Sequence, residues 1–264
     1  MAAVNVSLIQ TDLVWENPAA NREKLETIIA SLQGKTHIVL LPEMFTTGFT
    51  MNPEPFAETA NGETVSWLIA LANKYTLVIG GSMILTSENG YTNTFVWAQP
   101  NYQISFYNKK HLFAYAGEHK HYTPGQQRVI TSINGIRFSL NICYDLRFPV
   151  WSRYHATQNP YHVLVYVANW PHKRVQAWQT LLQARAIENQ CYVLGLNRVG
   201  TDGNGHIYTG NSMIITPMGQ VLHNVADAEA VLTHTIELKE IEEVRTQLPF
   251  LTDADDYLIP STHD

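Results

Sequence analysis

The stretch IRFSLNICYDLRFP, residues 136–149, says more about the fold and the function than any other part of the chain. Residues 136–142 are predicted to form a buried strand, entered from a hairpin at Asn134-Gly135. Cys143 stands where this strand should stop and turn. A thiol at such a junction can reach the mouth of a pocket while its backbone stays rigid, which is how a nucleophile is presented. A free cysteine taken alone is more often a packing residue, so this interpretation depends on the rest of the chain.

The chain around this stretch alternates between helical and extended patterns. Helices are predicted at 18–34, where Asn17 caps the start and Gly34 closes the end, and at 64–75, 174–189 and 239–247. Runs such as 38–41 and 163–167 are apolar throughout, as in strands that are buried on both faces. Other strands are predicted at 4–10, 77–85, 91–98, 103–107, 192–199, 211–216, 219–222 and 230–236. This mixture predicts sheets covered by helices, in one layered α/β domain over residues 1–264.

Composition excludes several classes of partner. The 264 residues are 45% hydrophobic and carry a net charge of −6 without a basic stripe, which argues against nucleic acid and against anionic membranes. Apolar runs stay far below the ~20 residues of a membrane helix. The first ten residues lack the cationic and apolar segments of a signal peptide. Two cysteines do not make a disulfide framework in a chain of this length. We therefore expect a cytoplasmic protein with a usable thiol.

Three titratable residues follow predicted strand ends: Glu43, Lys109 and Cys143. Side chains just past strand ends tend to converge at one edge of a sheet, where α/β proteins place ligands. A nearby cation favours the thiolate, a carboxylate can accept and return its proton, and a lysine facing a carbonyl can stabilise an oxyanion, as can the backbone N–H of Tyr144. These residue types suffice for acyl transfer. Singly, Glu43 could also be a first-turn acid of a helix and Lys109 a solvated loop charge.

The combination resembles the nitrilase superfamily of carbon–nitrogen hydrolases. Its motifs hold a Glu after Leu-Pro, a Lys two residues before His-Leu, and a Cys before Tyr-Asp-x-Arg, and all three occur here in order. The resemblance implies that Glu43 is the general base, Lys109 (not the adjacent Lys110) the oxyanion stabiliser and Cys143 the nucleophile. It also implies that Glu118 contacts the lysine and the substrate. The implied fold is a four-layer α-β-β-α sandwich that forms a homodimer, without a cofactor.

A second resemblance, to the ω-amidase branch of that superfamily, rests on residues 168–189, which begin Ala-Asn-Trp-Pro. It implies hydrolysis of the terminal amide of α-keto acids such as 2-oxoglutaramate and 2-oxosuccinamate. Such substrates carry a carboxylate, which Arg147 could bind through a bidentate fork. The alternative for Arg147 is a structural ion pair with Asp145 or another acid. The further expected substrate contacts are Tyr144, Phe45, Tyr115, Trp170 and His119, although aromatic side chains belong to the core more often than to a site.

Other sites are less well supported by the sequence. The pair His119 and His121 has the spacing of two metal ligands but lacks an obvious third, so we expect no metal. Gly203-Asn204-Gly205 is interpreted as a hairpin tip and not as a dinucleotide motif. No Gly-x-Ser-x-Gly elbow of a serine hydrolase occurs. The alternatives that stay open are a nitrilase, an N-carbamoyl amino acid amidohydrolase, or a non-catalytic binding module of the same fold.

Overall fold

A computed structural model describes residues 2–259 of the chain. The strands, in chain order, are β1 (Ala3–Gln10), β2 (Ile38–Leu40), β3 (Val78–Ser87), β4 (Gly90–Ala98), β5 (Ile104–Asn108), β6 (Ile130–Ile133), β7 (Ile136–Ile142), β8 (Val163–Ala168), β9 (Tyr192–Asn197), β10 (Val199–Thr201), β11 (Ile207–Ile215), β12 (Val221–Ala226) and β13 (Ala230–Glu237). The helices are α1 (Pro18–Ser31), α2 (Glu63–Tyr75), α3 (Pro149–Ser152), α4 (Val175–Asn189) and α5 (Leu238–Gln247). The prediction of one domain over 1–264 stays a prediction, since its ends lie outside the described residues.

Two sheets form the middle of the molecule. The first has the strand order β13-β1-β2-β3-β4-β5, and the second has the order β10-β11-β9-β8-β7-β6, with β12 paired to β11. Each sheet contains three neighbouring parallel strands, β1-β2-β3 in the first and β7-β8-β9 in the second. The remaining pairs are antiparallel. Parallel strands end at the same edge of their sheet, so the segments that follow them come together there.

Three apolar clusters hold four layers together. One lies between the sheets, where Trp97 of β4 meets Phe138 of β7 with ring centroids 5.6 Å apart. A second packs α1 and α2 on the outer face of the first sheet, and a third packs α4 on the outer face of the second through Trp178 and Leu182. The layered α/β fold that the pattern predicted, and the four-layer α-β-β-α sandwich that the resemblance implied, are therefore confirmed.

Most predicted elements occur within two or three residues of their expected bounds. Asn17 caps α1 as expected, its side chain accepting from the amide of Ala20 at 3.1 Å. The strand predicted at 192–199 is instead two strands, β9 and β10, which are separated by Arg198. The strand predicted at 219–222 begins only at residue 221, because Gly219 closes a turn onto Thr216.

No helix within residues 2–259 is both long and apolar enough to cross a membrane.

Candidate active site

Glu43 lies just beyond the end of β2 and is completely buried. Its backbone is directed by the next residue, Met44, which adopts a left-handed conformation with φ of 45°. The amide of Met44 donates to the Ser82 hydroxyl at 2.9 Å, and the next amide donates to the Ser82 carbonyl. A non-glycine residue at positive φ is uncommon and marks a local constraint. These bonds fix the turn that carries the Glu43 carboxylate into the space between the sheets.

Lys109 follows β5 and is also completely buried along its side chain. Its amide donates to the carbonyl of Asn93 on β4 at 2.9 Å, which extends the β4–β5 ladder by one bond. Its ammonium donates to Glu43 Oε1 at 2.9 Å and to both carboxylate oxygens of Glu118 at 3.0 Å. The lysine thus joins the two acids that the resemblance had named separately.

Glu118 begins a short 3₁₀ turn, Glu118–Lys120, in the loop after β5. Its Oε2 also accepts a hydrogen bond from the amide of Phe113 in the same loop. Burial raises the pKa of Glu118, and the neighbouring Glu43 carboxylate raises it further, while Lys109 opposes them. Lys109 therefore faces two carboxylates, and all three side chains are buried away from water. A loss of charge at the lysine or at one of the carboxylates therefore affects the whole cluster.

Cys143 is the first residue of a 3₁₀ turn, Cys143–Arg147, directly after β7. Its φ of 42° is again left-handed, so the chain reverses sharply at the thiol. Cys143 is half-buried and forms part of a cavity wall. The thiol interacts electrostatically with Glu43, Lys109 and Glu118. The four residues predicted to carry the chemistry therefore lie close together.

The electrostatics of the cluster separate the roles of its members. Burial raises the pKa of the Cys143 thiol well above its ordinary value, and the Glu43 carboxylate adds to this effect, while Lys109 opposes it. The thiol therefore rests protonated and needs a base at the moment of attack. Burial disfavours the charged form of Lys109, but the carboxylates of Glu118 and Glu43 outweigh it and raise the pKa of Lys109, so the ammonium stays charged at neutral pH.

A cavity of about 720 Å³ opens onto Cys143. Four of the predicted substrate contacts line it: Tyr144, Arg147, Tyr115 and Trp170. The Arg147 guanidinium lies over the Trp170 ring, with Cζ 4.9 Å from the ring centroid. Tyr115 is 88% exposed and forms part of the outer rim. The volume is in the range of small-molecule sites.

Two predicted contacts do not reach the cavity. Phe45 is completely buried in the core under α2, where its ring lies 6.3 Å from that of Trp67. The turn at Met44 sends Glu43 and Phe45 to different sides of the chain. His119 is exposed on the outer side of the 3₁₀ turn whose Glu118 points inward, and it does not line the cavity. The prediction that Phe45 and His119 contact a substrate in this cavity is therefore corrected: neither residue lines it.

Two buried asparagines that sequence reasoning missed complete the environment of Glu43. Asn93 of β4 donates from Nδ2 to Glu43 Oε1 at 2.9 Å. Asn169, directly after β8, donates from its amide to Glu43 Oε2 at 2.7 Å and from Nδ2 to the Glu43 carbonyl at 2.6 Å. A polar side chain inside the buried β4, and another just past a strand end, were the available signals, because buried polar groups need partners.

Asp145 connects the 3₁₀ turn Cys143–Arg147 to the loop that follows β5. Its carboxylate accepts from the amide of Ile142 at 3.0 Å, from the amide of His111 at 3.0 Å and from the Tyr107 hydroxyl at 2.7 Å. Its Oδ1 is also 2.8 Å from His111 Nδ1. The carboxylate is thereby occupied, and it forms no ion pair with Arg147. A structural ion pair between Arg147 and Asp145 is therefore excluded, and Arg147 has no other ion-pair partner among residues 2–259.

Residues 2–259 contain no group of three or more His, Cys, Asp or Glu side chains suited to a metal ion. The expectation that the protein works without metal or cofactor stays a prediction.

Comparison with known proteins gives the site its context. The carbon–nitrogen hydrolase family matches residues 5–246. The ω-amidase YafV of Escherichia coli is 42% identical over 97% of this chain and 99% of its own length.

The chain belongs to the carbon–nitrogen hydrolase family.

Further relatives agree with this assignment. The 2-oxoglutaramate amidase of Bacillus subtilis is 34% identical over 94% of this hydrolase and 96% of its own chain. A CN-hydrolase superfamily protein from Xanthomonas campestris, solved with an arsenic adduct in its active site, is 38% identical, with a TM-score of 0.96 over 98% of this chain and 100% of that one. The predicted resemblance to the superfamily and to its ω-amidase branch is confirmed. This chain is an amidase that acts on carbon–nitrogen bonds.

Proposed function

We propose that this hydrolase removes the terminal amide of α-keto acid ω-amides such as 2-oxoglutaramate and 2-oxosuccinamate, through a thioester on Cys143. The observation that carries the proposal is the buried Glu43–Lys109–Glu118 cluster, which interacts with the Cys143 thiol. The cavity that opens onto this thiol also presents the guanidinium of Arg147. The cluster supplies acyl-transfer chemistry, and the guanidinium supplies a site for a substrate carboxylate. The names of the YafV and Bacillus relatives agree with this substrate class.

The first half-reaction forms the thioester. The Cys143 sulfur attacks the amide carbonyl carbon while Glu43 takes the thiol proton. The oxygen of the tetrahedral intermediate becomes negative and is stabilised by the Lys109 ammonium, together with the backbone N–H of Tyr144. Glu43 then returns its proton to the nitrogen as the C–N bond breaks and ammonia leaves. Glu118 keeps the lysine in place through both of its oxygens.

The second half-reaction regenerates the thiol. A water molecule takes the position that ammonia vacated, and Glu43 removes its proton as the oxygen attacks the thioester. The oxyanion forms in the same place and meets the same donors. When the C–S bond breaks, Glu43 returns the proton to sulfur, and the dicarboxylate is released. Asn93 and Asn169 hold the Glu43 carboxylate in one orientation, so it serves as base and acid in both halves.

A substrate panel tests the proposed specificity. Ammonia release is measured for 2-oxoglutaramate, 2-oxosuccinamate, glutamine, asparagine, an N-carbamoyl amino acid and a simple nitrile. We expect the two keto-acid amides to give the highest kcat/KM. Preference for the N-carbamoyl compound or for the nitrile would assign the enzyme to another activity of the superfamily. A negligible rate on both keto-acid amides would refute the ω-amidase proposal.

The proposal also includes a homodimer and a reducing, cytoplasmic location. A reducing location suits the chemistry because both cysteines, Cys143 and Cys191, are free thiols, and the first of them has to stay reduced to act.

A further inference from the structure

The arginines of this chain fall into two groups by their hydrogen bonds. All nine arginines lie within residues 2–259. Seven donate from the guanidinium to a protein acceptor: Arg22, Arg128, Arg137, Arg153, Arg185, Arg198 and Arg245. The two that do not, within this part of the chain, are Arg147 and Arg174, and these are also the two that line the cavity. A guanidinium has five donors and no acceptor, so these two are free to bind an external anion.

Both guanidiniums are held in place by aromatic rings. Arg147 lies over Trp170, as described above, and the Trp170 indole N–H donates to the Arg174 carbonyl at 2.7 Å. The guanidinium of Arg174 lies over Phe113, with Cζ 5.2 Å from the ring centroid. Stacking on an aromatic face fixes a guanidinium while leaving its N–H edge available. Trp170 thus connects the two arginines on one part of the cavity wall.

The position of Arg174 ties it to the catalytic cluster. Phe113, under its guanidinium, donates its amide to Glu118, which binds Lys109. Phe113 also packs edge-on against Tyr144, the residue after the nucleophile, with ring centroids 4.9 Å apart. The cavity lining also contains the carboxylate of Glu16, which accepts a hydrogen bond from the Thr50 hydroxyl. The two guanidiniums outnumber this carboxylate in the cavity lining, so the lining presents net positive charge to an acyl group attached at Cys143.

We propose that Arg174 is a second specificity-determining residue, which together with Arg147 binds the α-keto carboxylate end of the substrate. This inference rests on the proposed function and deepens it. One guanidinium can satisfy a carboxylate, whereas two offer enough donors for a carboxylate and the adjacent keto oxygen. The same pair disfavours an α-ammonium group by like-charge repulsion, so it selects keto acids against amino acids of equal length.

The test compares Arg174→Gln and Arg174→Ala with Lys173→Ala. Lys173 is the adjacent residue, exposed and outside the cavity lining, so it is a matched control for charge. On 2-oxoglutaramate we expect either Arg174 variant to raise KM about 10- to 100-fold, with kcat within about twofold. On pentanamide, a neutral amide of the same length, kcat/KM should stay within about twofold. Arg147→Ala should show the same pattern, and Lys173→Ala should match the parent on both amides. Equal losses on both amides would overturn the proposal.

A second readout separates this inference from the proposed function. The rates at which iodoacetate and iodoacetamide alkylate Cys143 report the charge of the cavity without any turnover. The ratio of the anionic to the neutral reagent should fall several-fold in both Arg174 variants and stay unchanged in Lys173→Ala. A fallen ratio in an enzyme that ignores keto-acid amides would refute the proposed function but leave the anion site standing. An unchanged ratio, with 2-oxoglutaramate still hydrolysed, would refute the role of Arg174 alone.

Discussion

Cys143→Ala is expected to lower ammonia release by about four orders of magnitude or more, with the fold intact. The reason is that no other group takes the place of a nucleophile that forms a covalent intermediate. The thiol lies on a cavity wall at the end of β7, and alanine removes only its sulfur, so the thermal midpoint should change by no more than a few degrees. Activity is measured as ammonia release from the best amide of the panel, and folding by thermal denaturation.

Cys191→Ala is the matched control for this variant. Cys191 is completely buried against α4, and burial raises the pKa of its thiol to about 12, so it has no nucleophilic role at neutral pH. This variant should keep its turnover number and lose only some stability. Substantial ammonia release from Cys143→Ala, or its loss from a folded Cys191→Ala, would be incompatible with the assignment of the nucleophile.

Lys109→Met is expected to reduce both activity and stability. Loss of one oxyanion donor typically costs about 10²- to 10³-fold in kcat. The methionine also leaves Glu43 and Glu118 facing each other in a buried space without their cation. Breaking a buried ion pair by removing one partner costs about 3–5 kcal/mol in the free energy of unfolding. The measurements are kcat on the preferred amide and urea-induced unfolding.

Two further variants separate these effects. Lys110→Met changes the adjacent lysine, whose ammonium donates to Gln126 at 2.8 Å outside the cluster, and it should have little effect on kcat. The double variant Lys109→Met, Glu118→Gln removes one of the two stranded charges, so it should recover part of the lost stability while kcat stays low. A Lys109→Met enzyme with nearly full kcat would show that the oxyanion is stabilised elsewhere.

The placement of Glu43, Lys109 and Cys143 could be predicted because each follows a strand. The carboxyl ends of β2 and β7 meet where the two sheets face each other, and β5 ends at the same edge. This prediction needed only the apolar runs, which mark the strands, and the titratable residues that follow them. Glu118 came from the resemblance, because nothing in the loop pattern alone distinguishes its inward side from the outward side that carries His119.

The rest depended on contacts between distant segments. Asn169 is 126 residues from Glu43 in the sequence, and their hydrogen bonds follow from how the two sheets stack. Phe45 was misplaced because the left-handed turn at Met44 reverses the chain, and methionine gives no local sign of such a turn. In the sequence, Arg174 was only the first residue of the helix predicted at 174–189 and one residue of the stretch that resembles the ω-amidase branch. The role proposed for Arg174 rests on the hydrogen-bond partners of all nine guanidiniums, which only side-chain positions reveal.

The most direct test of the thioester mechanism is mass spectrometry of the enzyme quenched during turnover of 2-oxoglutaramate. A thioester on Cys143 predicts a covalent adduct with the mass of the substrate less ammonia, mapped by peptide analysis to Cys143 and lost as the substrate is exhausted. Cys143→Ala should show no adduct. An acyl group on another side chain, or ammonia release with Cys143 unmodified at every quench time, would show that Cys143 does not form the thioester.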